Sequence, residues 1–269
     1  MPFAEANGQR LYYEVHGEGE PLLCVMGLGA DHTAWALQVP EWSQRFSTIV
    51  FDNRDCGQSS TATGEYEIAD MARDALALAD ALGLESFHLV GMSMGGAIAQ
   101  ELALAAPDRV RTLTLCVTWP GSGPWGVEQT RLWTASVLRT PHDEHIDHLL
   151  LLCFSERFYE NPEGVAWIRQ MTFQNPHPQT KEGFVRQAQA CGRHGTQDRL
   201  GALSMPVHVI GAEHDVLVPV WKSQELAELI PGAKLTIVAG APHGLNIERA
   251  EEFNRAVTDF LAAEQPAAA

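Results

Sequence analysis

Residues 87–100 read FHLVGMSMGGAIAQ, and the architecture turns on this stretch. FHLV is an apolar run of strand length, whereas the residues from Gly95 to Ala106 are helical in character and stop at Pro107. Between them Gly91-Met92-Ser93-Met94-Gly95 fits the pattern G-x-S-x-G. A serine in that position occupies a sharp, strained turn, and side chains two positions to either side would collide with neighbouring backbone. The turn lifts the hydroxyl clear of the strand ends. It also aims the first N–H groups of the following helix at the place where negative charge would develop. The same five residues can form a mere packing turn, but the strand–turn–helix setting favours a nucleophile.

Outward from this turn, strand-like and helical segments alternate. RLYYEVHG alternates in polarity, while PLLCVMG, STIVFDN and VRTLTLCVT are nearly continuous apolar runs. Such runs suit strands buried on both faces of a parallel sheet. IADMARDALALADALG has helical spacing. Further on, PVHVIG and AKLTIVAG read as strands, VWKSQELAELIPG and ERAEEFNRAVTDFLAAE as helices. The expectation is an α/β chain with a mostly parallel, doubly wound sheet. From Trp119 to about Arg199 the alternation breaks into helical pieces separated by Pro and Gly, holding Trp119, Trp125, Trp133 and Trp167 of the seven tryptophans. A long helical insert between strands reads as a lid. The expected organisation is a core over 1–118 and 200–264, a cap over 119–199 and a disordered tail over 265–269.

A serine hydroxyl is a weak nucleophile, so it needs a base, and the base needs a carboxylate to orient it. Of eleven histidines, His243 in VAGAPHGLNIER sits just past a strand end, within reach of Ser93. His208 lies inside PVHVIG and reads as a core histidine. Asp215 in VIGAEHDVLVP follows another strand end, with Glu213 and His214 as weaker alternatives in the same loop. Catalytic groups collect at the carboxyl ends of parallel strands, where all three choices fall.

With these residues in place, the chain resembles the α/β-hydrolase-fold family, in its esterase and lactonase branch, nearly end to end. GMSMGG resembles the family's nucleophile elbow, GAEHDVLVP its acid loop and APHGLNIERAEEF its histidine loop; FDNRDCGQS resembles its D-x-R-G-x-G-x-S segment. The resemblance implies triad roles for Ser93, Asp215 and His243, and a helical cap at the insert. Two positions depart from the family: Met26 stands where a histidine is frequent, and Asp55 where glycine is usual. Gly27 remains, so the loop can still turn an N–H toward an oxyanion, and those donors are assigned to Leu28 and Met94.

Composition narrows the field. Eighteen Lys and Arg against 34 Asp and Glu give a net charge of −16, which disfavours nucleic acid as a partner. Five scattered cysteines without a C-x-x-C pair, and an N-terminus without a signal-like segment, suit a cytoplasmic protein. No apolar run is long enough to span a membrane. His142, His145 and His148 lie three apart, but acids flank them and the run reads as solvent-facing, so neither metal nor cofactor is expected. Trp119 and Trp125 are candidates to line a substrate pocket, or else to pack the insert onto the sheet.

The expected chemistry is acyl transfer to water from a small to medium, largely apolar ester or lactone. Aspartate-nucleophile relatives of this fold are excluded by Ser93. Carbon–carbon bond hydrolases and cofactor-free perhydrolases or haloperoxidases share the triad and stay open, as does a non-enzymatic receptor with a vestigial triad. Oligomeric state is not legible.

Overall fold

The computed structural model describes residues 2–264, so the tail expected over 265–269 lies outside the described residues. Eight strands form one sheet: β1 (Phe3–Ala6), β2 (Gln9–His16), β3 (Glu20–Val25), β4 (Phe46–Phe51), β5 (Phe87–Met92), β6 (Val110–Cys116), β7 (Val207–Ala212) and β8 (Lys234–Val238). Their order is β1-β2-β4-β3-β5-β6-β7-β8. The first two strands are antiparallel to their neighbours, and the strands from β3 to β8 are parallel. The sheet confirms the α/β expectation. β1 is an addition to it, a four-residue strand joined to β2 through Asn7-Gly8, both at positive φ. Asn-Gly is the preferred pair for such a hairpin turn.

The continuous apolar strands divide their side chains between two helical layers. Leu23, Val25, Leu89 and Leu113 face α2 (Ile68–Ala81) and α3 (Met94–Ala105), where Met71, Ile98 and Leu102 are buried. Leu22, Cys24, Val90 and Ile210 face the other way, against Trp35, Trp42 and the Phe253, Val257 and Phe260 stripe of α11 (Ala250–Ala263). Each fully buried side chain of this size contributes about 1.5–3 kcal/mol by leaving water. Three short or peripheral helices complete the core: α1 (Val39–Trp42), α9 (Trp221–Leu229) and α10 (Leu245–Glu248).

Between β6 and β7 lies the helical insert, made of α4 (Gly123–Arg139), α5 (His142–Cys153), α6 (Glu156–Tyr159), α7 (Pro162–Phe173) and α8 (Lys181–Arg193). Its two ends run side by side. Gly121 bridges Gly195, the Ser122 N–H donates to His194 O (3.1 Å) and the Thr196 N–H to Pro120 O (2.7 Å). The buried Gln100 of α3 clasps this stem, donating to Trp119 O and accepting from the Thr196 hydroxyl.

β3 pairs with β4 on one side and β5 on the other, so the connections leave the sheet in opposite directions at its middle. A crevice opens at the carboxyl ends of strands at such a switch point. The loops after β3 and β5 carry Gly27 and Ser93 into it.

Candidate active site

Ser93 joins β5 to α3 with φ +55°, in the left-handed region that non-glycine residues rarely adopt. Its N–H donates to Cys116 O (2.8 Å) and its carbonyl accepts the Thr118 hydroxyl (2.8 Å), which fixes the turn from the neighbouring strand. A Cβ at Gly91 would lie 2.3 Å from Gly95 O, and one at Gly95 would lie 2.0 Å from Val25 O. Both glycines of the motif are therefore demanded by backbone on the far side.

The three candidates from the strand ends meet. Ser93 Oγ lies 3.1 Å from His243 Nε2, and His243 Nδ1 lies 2.7 Å from Asp215 Oδ2. A carboxylate has no proton to give, so Nδ1–H donates to Asp215 and Nε2 is left to accept from the Ser93 hydroxyl. The other oxygen of Asp215 accepts the Leu217 and Val218 N–H groups, both at 2.8 Å, which holds the carboxylate edge toward the histidine. Glu213, the alternative acid, instead accepts the Gly240 N–H (2.8 Å) at the surface. The His243 loop is pinned by the Gly244 N–H on Cys153 O (2.7 Å). A Cβ at Gly244 would come within 2.9 Å of the Phe154 ring.

The loop after β3 passes directly beside the serine, for a Cβ at Gly27 would sit 3.0 Å from Ser93 Cβ. Asn53 Nδ2 holds Met26 O at 2.9 Å from beneath. Met94 is the first residue of α3, so its N–H has no acceptor within the helix. Leu28 lines the cavity next to Ser93.

Ser93 and His243 open on a cavity of about 310 Å³ between sheet and insert. Met26, Leu28, Leu217 and Val218 line its sheet side; Trp119, Trp125, Trp133, Trp167, Ile168, Met171, Leu149 and Phe184 line its insert side. Trp119 and Trp125 thus both reach the cavity. Trp119 also packs the stem, edge-on to His194 at 6.1 Å and donating Nε1–H to Ser122 Oγ. Trp133 and Trp167 join them, and Lys181 and Lys222 add polar points to the wall. The Cys153 thiol also lines it, but burial, and secondarily Asp215, push its pKa up to about 12, so it stays protonated.

One expectation is corrected. The run holding His142, His145 and His148 does not simply face solvent: His145 is buried, edge-on to Phe184 at 4.9 Å. Burial first, then His142, His148 and Lys181, push its pKa down to about 4. The helix turns one histidine in and leaves its acids out, which sequence spacing alone does not decide. Among the described residues, the group whose ligand atoms fall within 4.8 Å of one another is Asp31, His32 and Asp52. Those atoms are already engaged, His32 Nδ1 with Asp52 (2.7 Å) and Asp31 with Thr33 and Asn175.

Sequence reading passes over the residues that tie insert to core. Asp55, at φ +66°, accepts two bonds from Arg186 and one from the Tyr66 hydroxyl. Gln187 is fully buried and bonds main-chain groups of two core loops. The aspartate in a position where the resembling family has glycine was the available signal.

The alpha/beta hydrolase fold family model matches residues 20–250. A protein of Azorhizobium caulinodans provisionally named carbamate hydrolase RutD is 30% identical, over 97% of this chain and 98% of its own. The solved enol-lactonase of Burkholderia xenovorans LB400 superposes with a TM-score of 0.87 at 28% identity, covering 97% of this chain and 100% of that one. A thermophilic esterase of Thermogutta terrifontis gives a TM-score of 0.86 at 29% identity, covering 96% and 95%. Among the described residues no helix is long and apolar enough to cross a membrane.

Proposed function

Because the chain belongs to the alpha/beta hydrolase fold family, we propose that it is a serine hydrolase cleaving carboxylic esters or lactones through an acyl-enzyme. The observation that carries this reading is the hydrogen-bonded line Ser93–His243–Asp215, with its serine end opening on an apolar cavity. Ser93 Oγ attacks the carbonyl carbon while its proton passes to His243 Nε2. The Leu28 and Met94 N–H groups take the developing oxyanion, a contribution of about 3–4 kcal/mol per donor in comparable sites. His243 then protonates the departing alkoxide. Water, deprotonated by the same nitrogen, releases the acid and restores the serine. No metal or cofactor is called on in these steps.

The insert, taken as a cap over 119–199, supplies the apolar wall that selects the substrate, Trp119 and Trp125 included. Its mainly aliphatic and aromatic lining suits a small to medium apolar acyl or alcohol group. The five unpaired cysteines fit a protein working in the cytoplasm. A second reading, carbamate hydrolysis, draws support from the name of the Azorhizobium relative, and uses the same attack on a carbonyl.

A side-by-side panel tests these readings: p-nitrophenyl esters of graded chain length, γ- and δ-lactones, aryl carbamates and a vinylogous diketone. Turnover of esters or lactones well above the rest, abolished in Ser93→Ala with folding intact, is the expected result. Preferential carbamate turnover selects the second reading, and diketone cleavage selects carbon–carbon hydrolysis. Retention of more than a few per cent of activity by Ser93→Ala removes the nucleophile assignment.

A further inference from the structure

The insert reaches the loop beside Ser93 through one buried side chain. Gln187, in the middle of α8, is 0% exposed. Its Oε1 accepts the Gly29 N–H at 3.2 Å, and its Nε2 donates to Arg54 O at 2.9 Å. These main-chain partners fix the amide's orientation, because a flipped amide would set N–H against N–H at Gly29. Gln179 Nε2 adds a second donor to the same Oε1 at 2.9 Å. Gly29 itself stands at φ +77°, and a Cβ added there would meet the Gln179 amide and the Phe184 ring at ordinary contact distance, so both side chains lie beside the loop. At the loop's other end, Asn53 grips Met26 O. The Leu28 N–H lies between the two grips.

We propose that Gln187 is a positioning residue for the oxyanion hole: it fixes Gly29, and through Gly29 the Leu28 N–H, so that the insert sets transition-state stabilisation as well as substrate choice. The proposal rests on the reading of Leu28 as an oxyanion donor. Its physical basis is that a preorganised donor stabilises developing charge only while it is held at hydrogen-bond distance. A loop gripped at one end alone samples orientations in which the donor misses.

The test compares Gln187→Met, which fills the space without an acceptor, with Gln187→Glu, which keeps an acceptor toward Gly29 and, held protonated by burial, an O–H toward Arg54 O. Arg193→Met serves as control, since Arg193 ties the same helix to Glu67 and Tyr66 O far from Gly29. Two measurements are made: the kinetics of the best ester of the panel, giving kcat and KM, and the affinity for an alkylboronic acid. The boronic acid takes the Ser93 oxygen at boron, the proton going to His243, and forms a tetrahedral anion that needs the oxyanion donors. Gln187→Met is expected to lose about 30-fold in kcat and a similar factor in boronate affinity, with KM within about twofold, a fraction of the 10²–10³ seen when a donor is removed outright. Gln187→Glu should recover most of the boronate affinity, and Arg193→Met should leave both quantities near parental. If the Met variant does not fold, Gln187→Asn, one methylene short of both partners, carries the same expectation. Parental kcat and boronate affinity in the folded variant, or an equal loss in Arg193→Met, overturns the proposal while leaving the serine hydrolase reading intact. A parent that neither turns over esters nor binds boronate through Ser93 overturns both.

Discussion

Asp55 and Arg186 join the sheet to the insert by a two-pronged ion pair, at 2.6 and 2.8 Å, with the carboxylate wholly buried. The aspartate keeps a left-handed backbone to do so, and its carboxylate also takes the Tyr66 hydroxyl and the Ala62 N–H. Burial first, then the Asp55 charge and its hydrogen bond, push the Tyr66 pKa upward.

Asp55→Gly therefore sets two effects against each other. Glycine relieves backbone strain worth about 1 kcal/mol. It also leaves the Arg186 guanidinium and the Tyr66 hydroxyl without their shared partner, a loss of about 3 kcal/mol, the lower end for a broken buried pair because Arg186 keeps some access to water. Denaturant unfolding should show a net loss of about 2 kcal/mol or more. The double change with Arg186→Met should recover part of it; strict additivity would mean the pair is not coupled.

Gly95 and Gly201 make a matched contrast. Alanine at Gly95 would drive its Cβ into Val25 O, with Met26 O also within 2.9 Å, and backbone cannot yield there without opening the site. Gly95→Ala should lose at least about 4 kcal/mol of stability, or fail to accumulate as soluble protein. Nothing lies within 4 Å of a Cβ at Gly201, so Gly201→Ala should fall between neutral and about 1 kcal/mol stabilising. Thermal melts of the two variants check both statements.

Replacing Asp215 by Asn tests the acid. An asparagine can offer N–H to His243 Nδ1 and so favours the tautomer that cannot accept from Ser93. The equivalent change in a serine protease costs about 10⁴ in turnover, roughly 5 kcal/mol of barrier. A similar loss is expected here. Glu213→Gln should stay within a few-fold of the parent, because Glu213 serves the Gly240 N–H. The reverse pattern would move the acid by two residues.

Acid should weaken the fold through buried histidines. Burial is the leading cause that pushes His194 and His208 down to about 4. His208 Nε2 shares a hydrogen bond with Thr236 Oγ1 at 2.9 Å, and the ring sits against Phe260. The unfolded chain protonates these rings near 6.5, the folded chain only near 4, so unfolding takes up protons between those values. Their stabilising effect is complete above about pH 6.5 and is lost as pH falls toward 4, at up to about 1.4 kcal/mol per pH unit for each ring. Urea unfolding at pH 7 and 5 should show the fall, and His208→Gln should flatten it by about one proton. An unchanged slope in that variant would assign the acid sensitivity elsewhere.

Much of the candidate site's geometry was legible because its constraints are local. G-x-S-x-G marks a strained turn, and the loops after PVHVIG and AKLTIVAG place an acid and a histidine at strand ends whatever the rest of the chain does. The seam between sheet and insert was not legible. Gln187, Gln100 and Arg186 act through partners 133, 96 and 131 residues away, and no spacing rule brings such pairs together. His145 failed for a related reason: its helix is held on one side by α4 and α8, which only the packed structure reveals.

The stem at Gly121 and Gly195 makes the insert a cassette. Its two ends leave the core as neighbours, so what lies between can be exchanged without altering the span the core must bridge. Under the proposed function, recombination at that joint would transplant one hydrolase's substrate selectivity onto another's serine. The graft has one condition: α8 must travel with a core that offers Gly29 and Arg54 to Gln187, or the new selectivity will arrive with a blunted catalyst.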